Sequence, residues 1–191
     1  FSVLMEPKTE QIARHLGMKT LPKDWPNPEE PPEEWNRCLS CHSMNFIEKP
    51  RRGQRFKLAD GVSCDGCHGP AELWLGPHQE REYSESLKLG MKDIRNPVVR
   101  AEMCLSCHLG NRAEGKVVDH EMYAAGHPPL VFEVNAYSQK LPPHWQPKRP
   151  DEEHARQMKL WSAGQLVGLR EAVRLLAEDM KGDRWPEYAH F

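Results

Sequence analysis

The sequence predicts a mainly α-helical chain with long irregular loops, almost no sheet and one long helix towards its C-terminal end. Three observations lead there. No stretch sustains the apolar–polar alternation of a half-buried strand. Proline supplies 17 of 191 residues, about 9% against an ordinary 5%, and it clusters at 21–32 and 128–150. From Asp151 to Lys181, by contrast, there is no proline, and apolar residues recur at helical spacing.

The elements follow in order. Residues 7–16 read as a short helix, with Pro7 at its first position and Gly17 as its stop. Residues 21–32 place Pro22, Pro26, Pro28, Pro31 and Pro32 among acidic residues and read as an extended, solvated connector. The stretch 33–117 carries short helices separated by loops. In VDHEMYAAGHPPL, residues 118–130, Asp119 is an N-cap and Gly126 a C-terminal stop, and Pro128 and Pro129 forbid continuation. Residues 128–150 wrap irregularly. In the tail, Asp151, Glu152 and Glu153 suit a helix N-terminus, Leu166, Leu169, Val173, Leu176 and Met180 form an apolar stripe, and Gly182 suits the end. The expected division is a domain over 1–150 and a helical segment, 151–191, packed on it or on a partner.

Composition narrows the function. Acidic residues number 28 and basic ones 26, a balance that argues against nucleic-acid binding, which needs clustered cations. No run approaches the roughly 18 uncharged apolar residues of a membrane span. Counted with glycine and without tyrosine, apolar residues are about 43% of the chain against an ordinary 45–50%, and the mean hydropathy is −0.76. Side chains alone give this chain a poor core, so a group that is not an amino acid is expected to fill it.

The cysteines say which. All six fall into C-x-x-C pairs: Cys38 with Cys41, Cys64 with Cys67, and Cys104 with Cys107. Each pair is followed at once by histidine: His42, His68 and His108. C-x-x-C-H is the attachment motif of c-type haem. On one turn of helix the sulfurs stand at i and i+3, where they form thioethers to the two vinyl groups of one haem edge. The next residue brings its imidazole under the iron. A Cys₄ zinc site or a redox dithiol needs no adjacent histidine, and zinc would leave one pair over. With 10 histidines in 191 residues, three of three by chance is on the order of 10⁻⁴. Three covalent haem c groups are therefore expected, one per about 64 residues, and porphyrin supplies the missing apolar core.

Seven histidines remain for the sixth iron positions: His15, His78, His120, His127, His144, His154 and His190. His120 and His127 lead. If the turns between them are helical they lie on one face, about 10 Å apart along the axis, which suits two neighbouring haems. His78 follows Trp74 and Leu75, which would pack on porphyrin, and the turn Gly76-Pro77. His144 stands between prolines and a tryptophan. His15, His154 and His190 read as solvated or interface residues. Met103 and Met122 are softer alternatives, but methionines in a small core are mostly packing.

The segments GVSCDGCHGPAELWLGPH, MCLSCHLGN and DHEMYAAGHPPLVFE resemble bacterial multihaem c-type cytochromes related to the tetrahaem electron-transfer cytochromes of ammonia oxidisers. The resemblance runs from about residue 35 to 145, with a weaker match in the last helix. It implies a mostly helical wrap around stacked haems that are largely bis-histidine ligated. It supports His78, His120 and His127 as distal ligands, with His144 next. In such proteins a further haem motif precedes the segment corresponding to FSVLM and another follows that corresponding to WPEYAHF. That implies an internal part of a longer protein, or further haems from other chains, which His15, His144 or His190 could ligate.

The expected function is electron transfer through three covalent haems, between redox partner proteins or along an assembly of like subunits, without catalysis. The alternative is a multihaem oxidoreductase acting on small nitrogen compounds at one haem with an open sixth position. No catalytic constellation is legible. Because covalent haem attachment follows export, the protein is expected in the periplasm or outside the cell of a prokaryote.

Overall fold

The computed structural model describes residues 1–44, 52–76, 82–141 and 149–181. Among them there is no strand, and the chain folds as eight α-helices joined by loops and 3₁₀ turns: α1 (Pro7–His15), α2 (Asn36–His42), α3 (Cys64–His68), α4 (Tyr83–Lys88), α5 (Pro97–His108), α6 (His120–Ala124), α7 (Val134–Ser138) and α8 (Pro150–Asp179). It divides into two compact units, Phe1–Asp93 with Ala113–Pro129, and Ile94–Arg112 with Leu130–Phe191.

The first unit holds α1–α4 and α6. Helix α1 begins at Pro7, as its sequence predicts. It ends in a left-handed turn at Gly17, with the Met18 amide on the Ala13 carbonyl (2.9 Å) and the Gly17 amide on that of Arg14 (3.1 Å). The unit's core gathers Leu4, Ala13, Trp25, Trp35, Leu39 and Leu58. Trp25 and Trp35 meet edge-on at 5.5 Å, and the Trp35 indole N–H donates to the Thr20 carbonyl at 3.0 Å. The expected solvated connector is therefore anchored. Pro22–Asp24 makes a 3₁₀ turn, and the turn delivers Trp25 into the core because burying an indole outweighs the polar character of its neighbours.

The second unit holds α5, α7 and α8, with a core of Ala101, Leu105, Val134, Leu160 and Val167. Asn96 caps α5, its side chain accepting from the amides of Val98 (2.9 Å) and Val99 (3.4 Å). Helix α8 starts at Pro150 with Asp151, Glu152 and Glu153 in its first turn, which complements the positive end of the helix. It packs on α5 and α7 through Leu160, Ala163, Gly164 and Val167. A Cβ on Gly164 would stand 3.0 Å from the Cβ and Cγ2 of Val134, so the absence of a side chain lets the two helices approach this closely. The arc that packs is thus not the stripe of Leu166, Leu169, Val173, Leu176 and Met180, which stays exposed. Arg170 bridges to Glu102 (2.7 Å) and Arg112 pairs with Asp179.

Candidate haem-binding site

Each C-x-x-C-H run forms a helix whose last residue is its histidine: α2 ends at His42, α3 at His68 and α5 at His108. The chain leaves each helix by a different exit. Ser43 is extended, and its hydroxyl donates to the Leu58 carbonyl at 2.8 Å. Gly69 turns with φ +80°. Leu109 closes α5 with its amide on the Leu105 carbonyl.

The cysteines expected to bear thioethers are accordingly placed one helical turn apart, as attachment requires. Cys38 and Cys41 share α2, Cys64 and Cys67 share α3, and Cys104 and Cys107 share α5. Cys64 is exposed, whereas Cys38, Cys41, Cys67, Cys104 and Cys107 are half-buried. The Ser40 hydroxyl approaches the Cys41 sulfur at 4.0 Å. Burial pushes the Cys38 thiol up to about 11, against the opposing Arg37 charge.

Among the described candidate distal histidines, the fold brings His127 beside a motif histidine. The rings of His42 and His127 lie 6.4 Å apart, centroid to centroid, at 56°. Two imidazoles sharing one metal through nitrogens about 2 Å from it place their centroids about 6 Å apart. The spacing fits one iron between them. The His127 Nδ1 donates to the Pro128 carbonyl at 2.8 Å, which leaves the lone pair on Nε2. Tyr123 meets the same ring edge-on at 6.2 Å.

The backbone that presents His127 is set by the cap and the stop expected from sequence. Asp119 accepts from the Met122 amide at 2.9 Å. Gly126 turns at φ +106°, with the Gly126 amide on the Tyr123 carbonyl (3.0 Å) and the His127 amide on that of Met122 (2.9 Å). The helix ends at Ala124, so His120 and His127 do not share a continuous helical face. The glycine turn redirects the chain before His127 is reached. His120 stands exposed at the first position of α6. Arg37 on α2 pairs with Asp119 at 2.9 Å, and the Ser40 hydroxyl donates to the Gly115 carbonyl at 3.2 Å. Both contacts tie the first motif helix to the segment that carries the histidines.

At the second motif, Trp74 is buried and meets the His68 ring edge-on at 5.9 Å, whereas Leu75 is exposed. At the third, the His108 ring stacks on Phe132 at 3.9 Å and 9°, with Tyr137 at 6.3 Å. Burial holds His108 towards the neutral form, below the ordinary histidine value, and the neutral ring is the ligating one. Phe132 and the Arg37–Asp119 pair are additions to the sequence-predicted set. His78, His144 and His190 lie outside the described residues, and His15 and His154 are exposed on α1 and α8.

Among the described residues no helix is long and apolar enough to cross a membrane. Residues 8–69, which include the first two motifs, match the family model described as cytochrome c554 and c-prime. Cytochrome c-554 of Nitrosomonas europaea is 24% identical over 119 residues, covering 55% of this chain and 45% of that protein. The chain thus spans about half the length of this relative. No solved structure matches the chain. The three motif helices carry the C-x-x-C-H runs, and over residues 8–69 the chain is similar to the cytochrome c554 and c-prime family.

Proposed function

We propose that the chain carries three covalent haem c groups and transfers electrons, with His42 and His127 as the two axial ligands of the first haem. The opposition of those two rings at 6.4 Å carries the reading. Bound haem iron supplies the one-electron redox chemistry. The residues supply the rest. Cys38 and Cys41, Cys64 and Cys67, and Cys104 and Cys107 provide the thioether sulfurs, and His42, His68 and His108 the proximal nitrogens. His120 is the remaining described candidate for a distal position, alongside His78 and His144. Two imidazoles held by the fold would keep the coordination shell unchanged between redox states and would hold the potential below that of a His/Met haem.

In this reading the protein is an exported electron carrier, periplasmic or extracellular. It exchanges electrons with redox partner proteins or like subunits through transient docking on its mixed-charge surface. Haem content and ligation test it together. The alkaline pyridine spectrum should give three haems per chain. The oxidised protein should show low-spin ferric resonance alone, and His127→Ala should convert one haem equivalent to high spin. A high-spin haem in the unsubstituted protein would favour an oxidoreductase with an open iron. An unchanged spectrum in His127→Ala would refute the pairing.

A further inference from the structure

We infer that the outward face of α8 pairs with the same face of a second copy of this chain. Leu166, Leu169, Val173, Leu176 and Met180 follow one another at intervals of three, four, three and four residues, the spacing of a two-helix seam. All five are exposed, and so are Met158 and Trp161 on the preceding turns, at 50% to 71% each. At 100° per residue the seam lies roughly opposite the arc of Leu160, Ala163, Gly164 and Val167 that α8 buries against its own unit. The five seam positions from Leu166 to Met180 are all uncharged, over about 21 Å of helix.

The area is what singles this face out. Seven large side chains at that exposure present on the order of 800 Å² of apolar surface, what each partner buries in a standard stable interface. The largest patch on an ordinary monomer is about 300–600 Å². The third motif helix does not cover the face. Cys104 and Cys107 are on α5, which packs on the opposite side of α8, and a helix about 10 Å across intervenes.

The occupant is argued from the pattern. An uncharged seam of leucine, valine and methionine is complementary to itself: a two-fold axis sets apolar knobs against equivalent holes and brings no like charges together. A membrane-surface helix lays its polar face in water, whereas the far side of α8 is buried in protein. The inference is independent of the haem ligation proposed above, because its readout is mass.

The test is sedimentation equilibrium of the haem-loaded full-length protein from low to high micromolar concentration. Twice the chain mass is expected. Leu169→Glu with Leu176→Glu should weaken association by about 100-fold or more and give the single-chain mass, with haem content and far-ultraviolet circular dichroism unchanged. Leu169→Gln with Leu176→Gln is the milder pair if the glutamates disturb folding, and it should also dissociate the dimer. Val131→Glu, exposed but off the seam, should leave the dimer intact. A single-chain mass throughout for the unsubstituted protein would overturn the inference, as would a dimer indifferent to both seam pairs. So would a monomer that uses the seam to bind phosphatidylcholine–phosphatidylglycerol vesicles.

Discussion

Replacing Trp35 by alanine tests how the first motif helix is held. Trp35 is fully buried immediately before α2. Truncating a buried tryptophan to alanine costs about 3–5 kcal/mol. The upper end applies here, because two further contacts go with the ring. The edge-on partner Trp25 is left facing a void, a loss of about 1 kcal/mol. The Thr20 carbonyl loses its indole donor, worth about another 1 kcal/mol. Trp35→Phe keeps the ring contact and removes the donor, so it should cost about 1–2 kcal/mol. Urea unfolding of the haem-loaded protein, followed by far-ultraviolet circular dichroism, separates the two. At a slope of about 2–3 kcal/mol per molar, alanine should lower the midpoint by roughly 2 M and phenylalanine by less than about 1 M. A cost below about 1 kcal/mol for alanine would refute the reasoning, as would equal costs for the two substitutions.

Three further outcomes are expected. Gly164→Leu should destabilise by about 3 kcal/mol or more in thermal unfolding, because a side chain there drives α8 off Val134. Gly164→Ala should be much milder, its overpacking offset by about 1 kcal/mol of helix propensity. The Arg156 guanidinium holds the Glu153 carboxyl down to about 2. The pair's stabilisation is therefore complete above the ordinary carboxylate range and is lost as pH falls from about 4.5 towards 2. Facing solvent, it is worth about 0.5–1 kcal/mol, and a pH series on Glu153→Gln should lack that slope. Asp119→Ala removes both the cap of α6 and the partner of Arg37. It should cost about 1–2 kcal/mol by urea unfolding and shift the g values of the haem that His127 is proposed to ligate.

The parts of the fold written locally were legible in the sequence. Pro7 and Gly17 bracket α1, Asp119 and Gly126 bracket α6, and the charge run at 151–153 opens α8, because caps and stops act within a few residues. The motif helices were legible for the same reason. What escaped was set by distance along the chain. Nothing local to His127 says that its ring faces His42, since α2 and α6 meet only through the tertiary fold. Phe132 beside His108 carried no periodic signal. The packing arc of α8 was hidden differently. Periodicity points to the most apolar arc, but close packing selected the one with Ala163 and Gly164, where small residues let helices approach.

The ending of every motif helix on its histidine has an electrical consequence. The carbonyl end of a helix carries a partial negative charge of about half an electron. In α2, α3 and α5 that end lies at the ring assigned to the iron. Negative charge there favours the ferric state, which bears the extra positive charge, and so disfavours uptake of an electron. The bias grows with the number of aligned peptide dipoles. Twelve-residue α5 exerts it more strongly than seven-residue α2 or five-residue α3. On this account alone, the haem proposed at His108 would be the last of the three to be reduced.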